Sequence, residues 1–277
     1  MRIVVITSNH LRHLAYAKML HDRTTVSKVF IEEKSAGSRS GSLQLKEREY
    51  FPTISGWMPD SYVGCRNGEI NSLRIQEEIK KQAPDIIFVF GSSLLKENIY
   101  SIPKVGCINI HTGLVQYYRG VDSSFWALHD SRPDRIGATV HFIDKSIDAG
   151  EIIFQGKPDI LSKTDNLDDV FLKNCICGFN LVCENLETLL AGNIETRRLV
   201  DDCSTDSTCD ILGRISDPRL TVIRSDKNIG TYASKNYMLK NFCTSPYVAL
   251  HDADDISEPR RLQIQALKMT SRPNLAC

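Results

Sequence analysis

The sequence predicts an α/β protein whose sheet is mostly parallel. The chain opens on a strand–helix–strand pattern, and the continuous apolar run at 86–90 is typical of a strand buried on both faces. With 277 residues, of which 42% are hydrophobic and 25% are charged, the chain is long enough for one large globular domain or two ordinary ones. No G-x-G-x-x-G follows the first strand, so the dinucleotide-binding fingerprint is absent.

The first half of the chain alternates strands with helices. β-branched and apolar runs predict strands at 3–7, 26–31 and 86–90. Apolar periodicity predicts a helix over 11–19 and a second one over 69–82. This second helix carries Ile70, Leu73 and Ile79 on one side, and Pro84-Asp85 ends it.

Residues 32–68 form the least regular segment of the sequence. It is rich in serine, glycine and charge, and a loop of this length is usually functional or disordered. We expect either a variable surface insertion or a lid whose aromatic rings stack on a ligand. The rings concerned are Tyr50, Phe51, Trp57 and Tyr62.

The second half continues the same alternation. Strands are predicted at 107–110, 136–143 and 151–155, and a helix carries 125–128 with Asp122 as its N-cap. A long helix is predicted from Asn166 to about Leu190, because polar residues open it and a glycine follows its last apolar residue.

Charge and hydropathy narrow the function classes. The chain has 34 basic and 34 acidic residues, so its formal net charge is zero, which argues against tRNA or a membrane surface as a partner. No run of about 20 apolar residues occurs, and we expect no membrane insertion. Residues 1–6 indicate a buried strand rather than a cleavable signal, and the nine scattered cysteines are typical of free thiols. We therefore expect a cytoplasmic protein.

Three polar side chains are placed where they could act together on a carbonyl group. Asn109 and His111 lie two apart in a predicted strand, so both project from the same face. An amide can stabilise an oxyanion, and an imidazole can exchange a proton near neutral pH. Asp148 lies in a loop where it could orient the imidazole and favour its protonated form. From the residues alone, a structural histidine and a simple turn at 148–150 stay open as alternatives.

Segments 109–114, 118–120 and 137–150 resemble the folate-dependent formyltransferase family in order and spacing, and a weaker likeness spans residues 1 to about 190. The resemblance implies a Rossmann-like fold and N10-formyltetrahydrofolate as formyl donor, with no metal required. It also implies that Asn109, His111 and Asp148 are catalytic. Two loops are expected to hold the donor, largely through backbone groups. Their residues are Phe90, Gly91, Ser92, Ser93, Leu94, Ile143 and Asp144.

The same resemblance implies a mechanism. A neutral amine attacks the formyl carbon, and Asn109 and protonated His111 stabilise the oxyanion. Asp148 keeps His111 oriented and charged, and it helps to relay the amine's proton to the leaving folate nitrogen. One departure concerns residues 113–116, which read Gly-Leu-Val-Gln where the family often has Ser-Leu-Leu-Pro. These positions shape the loop and do not take part in formyl transfer, so the difference concerns the shape of the acceptor pocket and not the catalytic residues.

The family has three acceptor classes: glycinamide ribonucleotide, initiator methionyl-tRNA and nucleotide-linked amino sugars. Residues 8–13 lack the glycine-rich phosphate loop of the first class, and nothing here is similar to the basic tRNA-binding domain of the second. Residues 117–120 and 125–128 are similar to sugar N-formyltransferases, which implies a 3-amino or 4-amino dideoxysugar on dTDP, UDP or GDP. The expected substrate contacts are Asn9, Arg12, His13, Tyr118, Arg119, Gly120 and Trp126.

Arg12 and His13 have two interpretations. They could meet the diphosphate of a nucleotide sugar, or they could lie at the solvated start of the first helix.

The composition changes near residue 193, so we expect a catalytic domain over 1–193, a linker over 194–198 and a second segment over 199–277. This second segment resembles an incomplete family-2 (GT-A) glycosyltransferase. Asp252 and Asp254 match that family's metal motif and would bind a metal only if the segment is active. The family's first strand and its C-terminal half have no counterpart here, and a sheet without its first unit would leave an unpaired strand. We therefore doubt glycosyl transfer.

Several alternatives stay open for the whole chain. The second segment is a fusion remnant, a surface for a homodimer, or part of a longer bifunctional protein, and its presence points to sugars of envelope polysaccharides such as the lipopolysaccharide O-antigen. For the first segment, sugar N-formyl transfer competes with hydrolysis of formyltetrahydrofolate and with a non-catalytic scaffold that binds nucleotide sugars. The intact set of three polar residues argues against the scaffold.

Overall fold

The computed structural model describes residues 1–35, 40–148, 150–158, 164–192, 197–214 and 220–242, together with residues 248 and 265. Within these ranges, seven strands form the main sheet. In chain order they are β1 Ile3–Ser8, β2 Val26–Glu33, β3 Tyr62–Arg66, β4 Ile86–Val89, β5 Gly106–His111, β6 Ala138–Phe142 and β7 Ile152–Gly156. The α/β class and the mostly parallel sheet are confirmed.

The order of strands in this sheet places the candidate site. The order is β3-β2-β1-β4-β5-β6-β7, with β1 to β5 parallel and with β6 and β7 antiparallel to their neighbours. The chain order reverses between β1 and β4, and ligands of such sheets bind at the carboxyl ends of the strands beside a reversal of this kind. The register of β5 on β6 sets Asn109 opposite His141 and His111 opposite Thr139. Two motifs that are distant in sequence are thereby joined in one place.

Helices cover both faces of the sheet. On one face α1 meets α6, where the ring of Tyr16 stacks on Phe179 with 5.3 Å between the ring centroids. On the other face α3 packs Ile75 and Ile79 against β1 and β4. The helices before residue 193 are α1 Leu11–His21, α2 Ser40–Tyr50, α3 Leu73–Gln82, α4 Glu97–Tyr100, α5 Ser123–His129, α6 Leu167–Glu184 and α7 Leu186–Ala191.

The N-terminal boundary predicted for the helix over 69–82 is wrong. Glu69–Asn71 forms a separate 3-10 turn, and α3 begins only at Leu73 because the Ser72 hydroxyl accepts a hydrogen bond from the amide of Ile75 and caps the helix. This cap turns the first helical residue outward, so Leu73 is 75% exposed instead of buried. Ile75 and Ile79 form the buried face.

The prediction that residues 32–68 are irregular is also wrong in part, because this segment contains the helix α2 and the edge strand β3. Its aromatic residues do not form a lid. Phe51 is buried in the core, Trp57 packs against the same core, and the Tyr50 hydroxyl donates to Asp169 at 3.2 Å. Tyr62 alone of the four is largely exposed. The partners of these rings lie on α1 and α6, which a local pattern cannot show.

Two helix boundaries refine the prediction. Asp122 does occupy the N-cap position of α5, but its backbone is left-handed with φ 62° and its side chain makes no capping hydrogen bond. The long helix does begin after Asn166, which forms a capping box with Asp169. It breaks at Asn185, whose side-chain amide donates to the carbonyl of Leu181, and Gly192 ends α7 in the left-handed conformation.

The described part of the second segment is a small α/β unit. It consists of β8 Arg197–Asp201, α8 Thr208–Gly213, β9 Leu220–Arg224 and α9 Thr231–Phe242. β8 and β9 pair in parallel, and β9 lies against β7 of the main sheet. An ion pair joins Asp226 to Arg135 at 2.7 Å. Among the described residues, no helix is long and apolar enough to cross a membrane.

Candidate active site

The three predicted catalytic residues come together at the end of β5. Asn109 and His111 project from the same face of this strand, as their spacing predicts. His111 is 6% exposed, and its Nδ1 lies 3.3 Å from an oxygen of Asp148. An imidazole, a carboxylate and an amide therefore converge on one point of the sheet edge.

Asp148 is held by its own loop. The loop leaves β6 beside Cys107, whose carbonyl accepts from the amide of Ile143, and then folds back toward His111. Asp148 has a left-handed backbone with φ 47°, and its carboxylate accepts a hydrogen bond from the amide of Gly120 at 2.8 Å. A strained backbone in such a place is a feature that active sites often carry.

Two glycines of the motif are explained by close approach. A Cβ on Gly150 would collide with the carbonyl oxygen of Phe142, so only glycine lets the loop fold back beside β6. A Cβ on Gly113 would lie 2.5 Å from Nε2 of His111, so glycine leaves room for the imidazole. Both glycines therefore shape the space in which Asp148 and His111 meet.

Burial dominates the protonation of His111. Burial lowers the pKa of His111, and this effect outweighs the carboxylate of Asp148, which alone would raise it. Asp148 thus favours the protonated ring, as expected, but burial of the ring acts against it more strongly. For Asp148, burial acts to raise the pKa, but the contact with His141 and the neighbouring ring of His111 hold this pKa below its usual value. At neutral pH the pair is a carboxylate beside a neutral imidazole.

His141 is a site residue to which the sequence analysis gave no role. It is buried, and its Nδ1 lies 2.8 Å from the carbonyl of Phe142, so this nitrogen carries the hydrogen and donates it. Its Nε2 lies 3.2 Å from Nδ2 of Asn109 and 3.6 Å from a carboxylate oxygen of Asp148. His141 thus contacts both the amide and the carboxylate of the cluster. The alternation of polar residues along 137–141, opposite Asn109 and His111, is the signal that would have found it.

The arrangement leaves an amide N–H of Asn109 for a substrate. The Asn109 amide carries two N–H groups, and the contact with His141 can use at most one of them. The second can stabilise negative charge that develops on a carbonyl oxygen. Asp148 is a base held at the same point. The site can therefore bind an oxyanion and accept a proton, which is what acyl transfer to an amine requires.

The loop after β4, to which the donor contacts were assigned, is packed against the protein. The side chain of Phe90 lies in the core, edge-on to the ring of His13, and its carbonyl accepts from the hydroxyl of Thr7. Gly91 has φ 76°, and a Cβ on it would collide with the imidazole of His13. Ser92 donates to the carbonyl of Ser93 at 2.9 Å. Leu94 is exposed, so apolar surface is presented at this end of the sheet.

Glu32 is a fully buried carboxylate at the end of β2 that fastens this loop. Its two oxygens accept hydrogen bonds from the amides of Ser93, at 2.5 Å, and Gly68, at 2.8 Å. Glu32 is the first residue of the segment predicted to be irregular, and only the pairing of β2 with β1 and β3 shows its role.

Replacing Glu32 by glutamine is expected to loosen the loop. One amide of the loop would then face an NH2 group instead of an acceptor, and a buried donor left unpaired costs about 1–3 kcal/mol. We expect a free energy of unfolding lower by this amount, measured by denaturant titration, together with a higher KM for the formyl donor. Glu77→Gln, on the exposed side of α3, is the control. Unchanged values for Glu32→Gln would show that the carboxylate does not fasten the loop.

The second loop assigned to the donor is ordered by its own contacts. Ile143 packs against the core beneath α3 and donates its amide to Cys107. Asp144 accepts from the amide of Ser146 at 2.7 Å, which closes a tight turn. Several backbone groups of both loops are thus already used within the fold. The donor-binding role of these residues stays a prediction.

The predicted substrate residues divide into two groups. Asn9 lies at the end of β1, where it exchanges hydrogen bonds with the backbone of Lys34, and it lines a cavity of about 510 Å³ with Tyr62. Arg12 pairs with the buried carboxylate of Glu47, and His13 is buried against Ser8 with Nδ1 2.6 Å from its hydroxyl. Neither Arg12 nor His13 lies at a solvated helix start, so that alternative is wrong.

The other group lies beside His111. The carbonyl of Tyr118 is 3.1 Å from Nε2 of His111, and the Tyr118 hydroxyl donates to Asp130. Arg119 donates to the carbonyl of Val115, and Gly120 holds Asp148. Trp126 is about half exposed on α5, where its ring meets Phe125 edge-on. The structure thus brings residues 118–120 to the cluster of His111 and Asp148, and their substrate role stays a prediction.

Two acidic residues in the described part of the second segment, Asp201 and Asp202, serve local structure. Asp201 accepts from the amide of Ser204 and pairs with Arg224, and Asp202 accepts from the amides of Ile229 and Gly230. Asp252 and Asp254 lie outside the described residues. Across the ranges that the structure describes, no group of three His, Cys, Asp or Glu residues is arranged to hold a metal ion.

Comparison with known proteins gives two family matches. Residues 1–173 match the family described as Formyl transferase, and residues 184–277 match Glycosyl transferase family 2. Methionyl-tRNA formyltransferase from Kosmotoga olearia is 34% identical over 120 residues, which is 43% of this chain and 38% of that protein. The bifunctional polymyxin resistance protein ArnA from Wigglesworthia glossinidia brevipalpis is 33% identical over 49% of this chain and 21% of that protein. The chain thus spans well under half the length of these curated relatives.

Solved structures share the fold. Phosphoribosylglycinamide formyltransferase from Anaplasma phagocytophilum superposes with a TM-score of 0.54 at 16% identity, over 81% of this chain and 98% of that chain. A candidate sugar N-formyltransferase from Mycobacterium tuberculosis gives 0.50 at 18% identity, over 82% and 94%. At such low identity these two structures support the fold alone. Since the first family match covers more than half of the sequence, the chain belongs to the formyl transferase family.

Proposed function

We propose that this protein transfers the formyl group of N10-formyltetrahydrofolate to the amine of a nucleotide-linked amino sugar. The observation that carries the proposal is the cluster of Asn109, His111 and Asp148, in which Asn109 keeps one N–H for an oxyanion. Membership of the formyl transferase family supports the donor. The donor supplies the formyl carbon that the amine attacks.

The residues of the chain have separate tasks in this reaction. Asn109, held by His141, donates its second N–H to the formyl oxygen as negative charge develops there. Asp148 and the neutral ring of His111 form a pair that accepts the proton of the attacking amine and passes it to the leaving nitrogen. The amide of Gly120 keeps Asp148 in place throughout.

The acceptor class rests on separate support. The neutral chain offers no large positive field for tRNA. The match to Glycosyl transferase family 2 over 184–277 supports sugar metabolism, and one protein of the same fold is a candidate sugar N-formyltransferase. We propose a 3-amino or 4-amino dideoxysugar on dTDP, UDP or GDP, made for an envelope polysaccharide. Initiator methionyl-tRNA is the second candidate, because relatives such as the Kosmotoga protein are methionyl-tRNA formyltransferases.

The organisation of the chain is part of the same proposal. We place the catalytic domain at 1–193, a linker at 194–198 and the glycosyltransferase-like segment at 199–277. A cytoplasmic location and a homodimer belong to the proposal as well.

The acceptor is tested by offering a panel of amines together with the donor. The panel holds amino sugars linked to dTDP, UDP and GDP, with methionyl-tRNA as a further arm, and mass spectrometry measures the formylated product. We expect one nucleotide sugar to gain a formyl group, and His111→Ala protein to give none. No formylated sugar with any of the three nucleotides, or formylation of methionyl-tRNA alone, would contradict the proposed acceptor.

A further inference from the structure

Ser123 is a buried hydroxyl in contact with the catalytic histidine. It is the first residue of α5, only 3% exposed, and its Oγ lies 3.0 Å from Nε2 of His111. Gly113 faces both side chains, since a Cβ there would lie 2.5 Å from each of them. The two side chains therefore fill one small space. Neither the family match nor the expected catalytic set gives Ser123 a role.

Nε2 of His111 has two polar neighbours of different kinds. The carbonyl of Tyr118, at 3.1 Å, can only accept a hydrogen bond. The hydroxyl of Ser123, at 3.0 Å, can either accept or donate. A protonated ring satisfies both of its nitrogens without Ser123, because Nε2–H donates to Tyr118 and Nδ1–H donates to Asp148.

The neutral ring needs the hydroxyl. Its single hydrogen belongs on Nδ1, because a lone pair there would face the carboxylate of Asp148. Nε2 then has a lone pair and requires a donor, which the Tyr118 carbonyl cannot be. The other charged or titratable groups that act on the ring are His141 on β6 and Arg119 in the loop before α5. Of the two groups hydrogen-bonded to Nε2, only Ser123 can donate.

We propose that Ser123 is a positioning residue whose hydroxyl donates to Nε2 of neutral His111 and turns away when the ring takes up a proton. The ring thereby keeps its Nδ1–H on Asp148 in both states, and the proton relay does not lose its geometry. The consequence for catalysis rests on the proposed function, whereas the hydrogen bond itself does not.

The test follows the His111 ring by NMR in full-length protein labelled with 15N-histidine, with His111→Asn protein identifying its signals. Ser123→Ala removes the donor to the neutral ring and leaves the partners of the protonated ring intact. We therefore expect the titration midpoint of His111 to move upward by about half a unit to one unit, the equivalent of one hydrogen bond. The share of the neutral ring with its hydrogen on Nε2 should rise as well.

Ser124→Ala is the matched control. Ser124 is the next residue of α5 and equally buried, but it accepts from the side chain of Asn174 instead of contacting His111. An unchanged midpoint and tautomer in Ser123→Ala, or an equal change in Ser124→Ala, would overturn the proposal. If Ser123→Ala does not fold, Ser123→Cys replaces it, and its weakly donating thiol should give a smaller shift in the same direction.

Two readouts keep this inference apart from the proposed function. The NMR measurement needs no substrate, so it decides the role of Ser123 even if the wild-type protein formylates no amine. If the wild type is active, Ser123→Ala should lower kcat about tenfold with little change in KM, since general acid–base effects of positioned groups reach 10²–10⁴-fold in full. If Ser123→Ala shifts the titration midpoint of His111 but leaves kcat unchanged, the hydrogen bond stands and its proposed effect on catalysis is overturned.

Discussion

Replacing His111 by alanine, or Asp148 by asparagine, is expected to lower kcat for formyl transfer by about 10²–10⁴-fold, the range for loss of a positioned acid–base group. His111→Ala removes the ring through which the proton passes, and Asp148→Asn removes the negative charge that accepts it. Steady-state kinetics with saturating donor measures the effect. Because each change removes a group used during the reaction, kcat should fall more than KM changes.

His129→Ala is the control for this prediction. His129 is an exposed histidine on α5 that pairs with the neighbouring carboxylate of Asp130 and lies against the rings of Phe125 and Trp126 without taking part in the Asn109–His111–Asp148 cluster, so its loss should leave kcat unchanged. Circular dichroism should show that all three variants keep the fold. A rate close to that of the wild type for either His111→Ala or Asp148→Asn would remove the catalytic assignment.

Replacing Gly150 by alanine is expected to damage both stability and activity. The added Cβ would collide with the backbone carbonyl of Phe142, which cannot rotate away as a flexible side chain can. Overpacking of this kind costs about 1–3 kcal/mol, and we expect the upper end of that range. The shift also moves Asp148, two residues earlier, and a displacement of about 1 Å at a reacting group lowers kcat by about 10²-fold.

Gly41→Ala is the matched substitution. A Cβ on Gly41 meets no atom within 4 Å, and alanine favours helix α2 by up to about 1 kcal/mol. Denaturant titration and kinetics on both variants give the comparison. If Gly150→Ala were as stable and active as Gly41→Ala, the close approach of the loop to β6 would not govern the site.

The sequence could predict the parts of the site that are local. Asn109 and His111 are two residues apart on a strand, so their shared face follows from the period of a strand. Asp148 lies on a different loop, and its place beside His111 depends on the antiparallel turn of β6 and on Gly150. Composition and spacing do not encode such a fold-back. The residues alone left a simple turn at 148–150 open, and the family resemblance favoured the contact with His111.

Other contacts were out of reach because their partners are distant in sequence. Arg12 is paired with Glu47 across 35 residues, and His13 is buried beneath Gly91. From the sequence, both residues are predicted at the start of an exposed helix. In the structure, α2 packs against Arg12 and the loop after β4 packs against His13. The same applies to the pKa of His111, which Asp148 raises and burial lowers, because only the structure shows how deeply the ring is buried.

The central claim is that the cluster at the end of β5 moves a formyl group onto an amine. The most direct measurement follows consumption of N10-formyltetrahydrofolate by the full-length protein with and without a nucleotide-linked amino sugar. Donor should be consumed only in the presence of the amine, in equal amount to the formylated sugar. Consumption at the same rate without amine, with release of formate, would identify a hydrolase, and the absence of any consumption would identify a binding scaffold. Either result would contradict the claim.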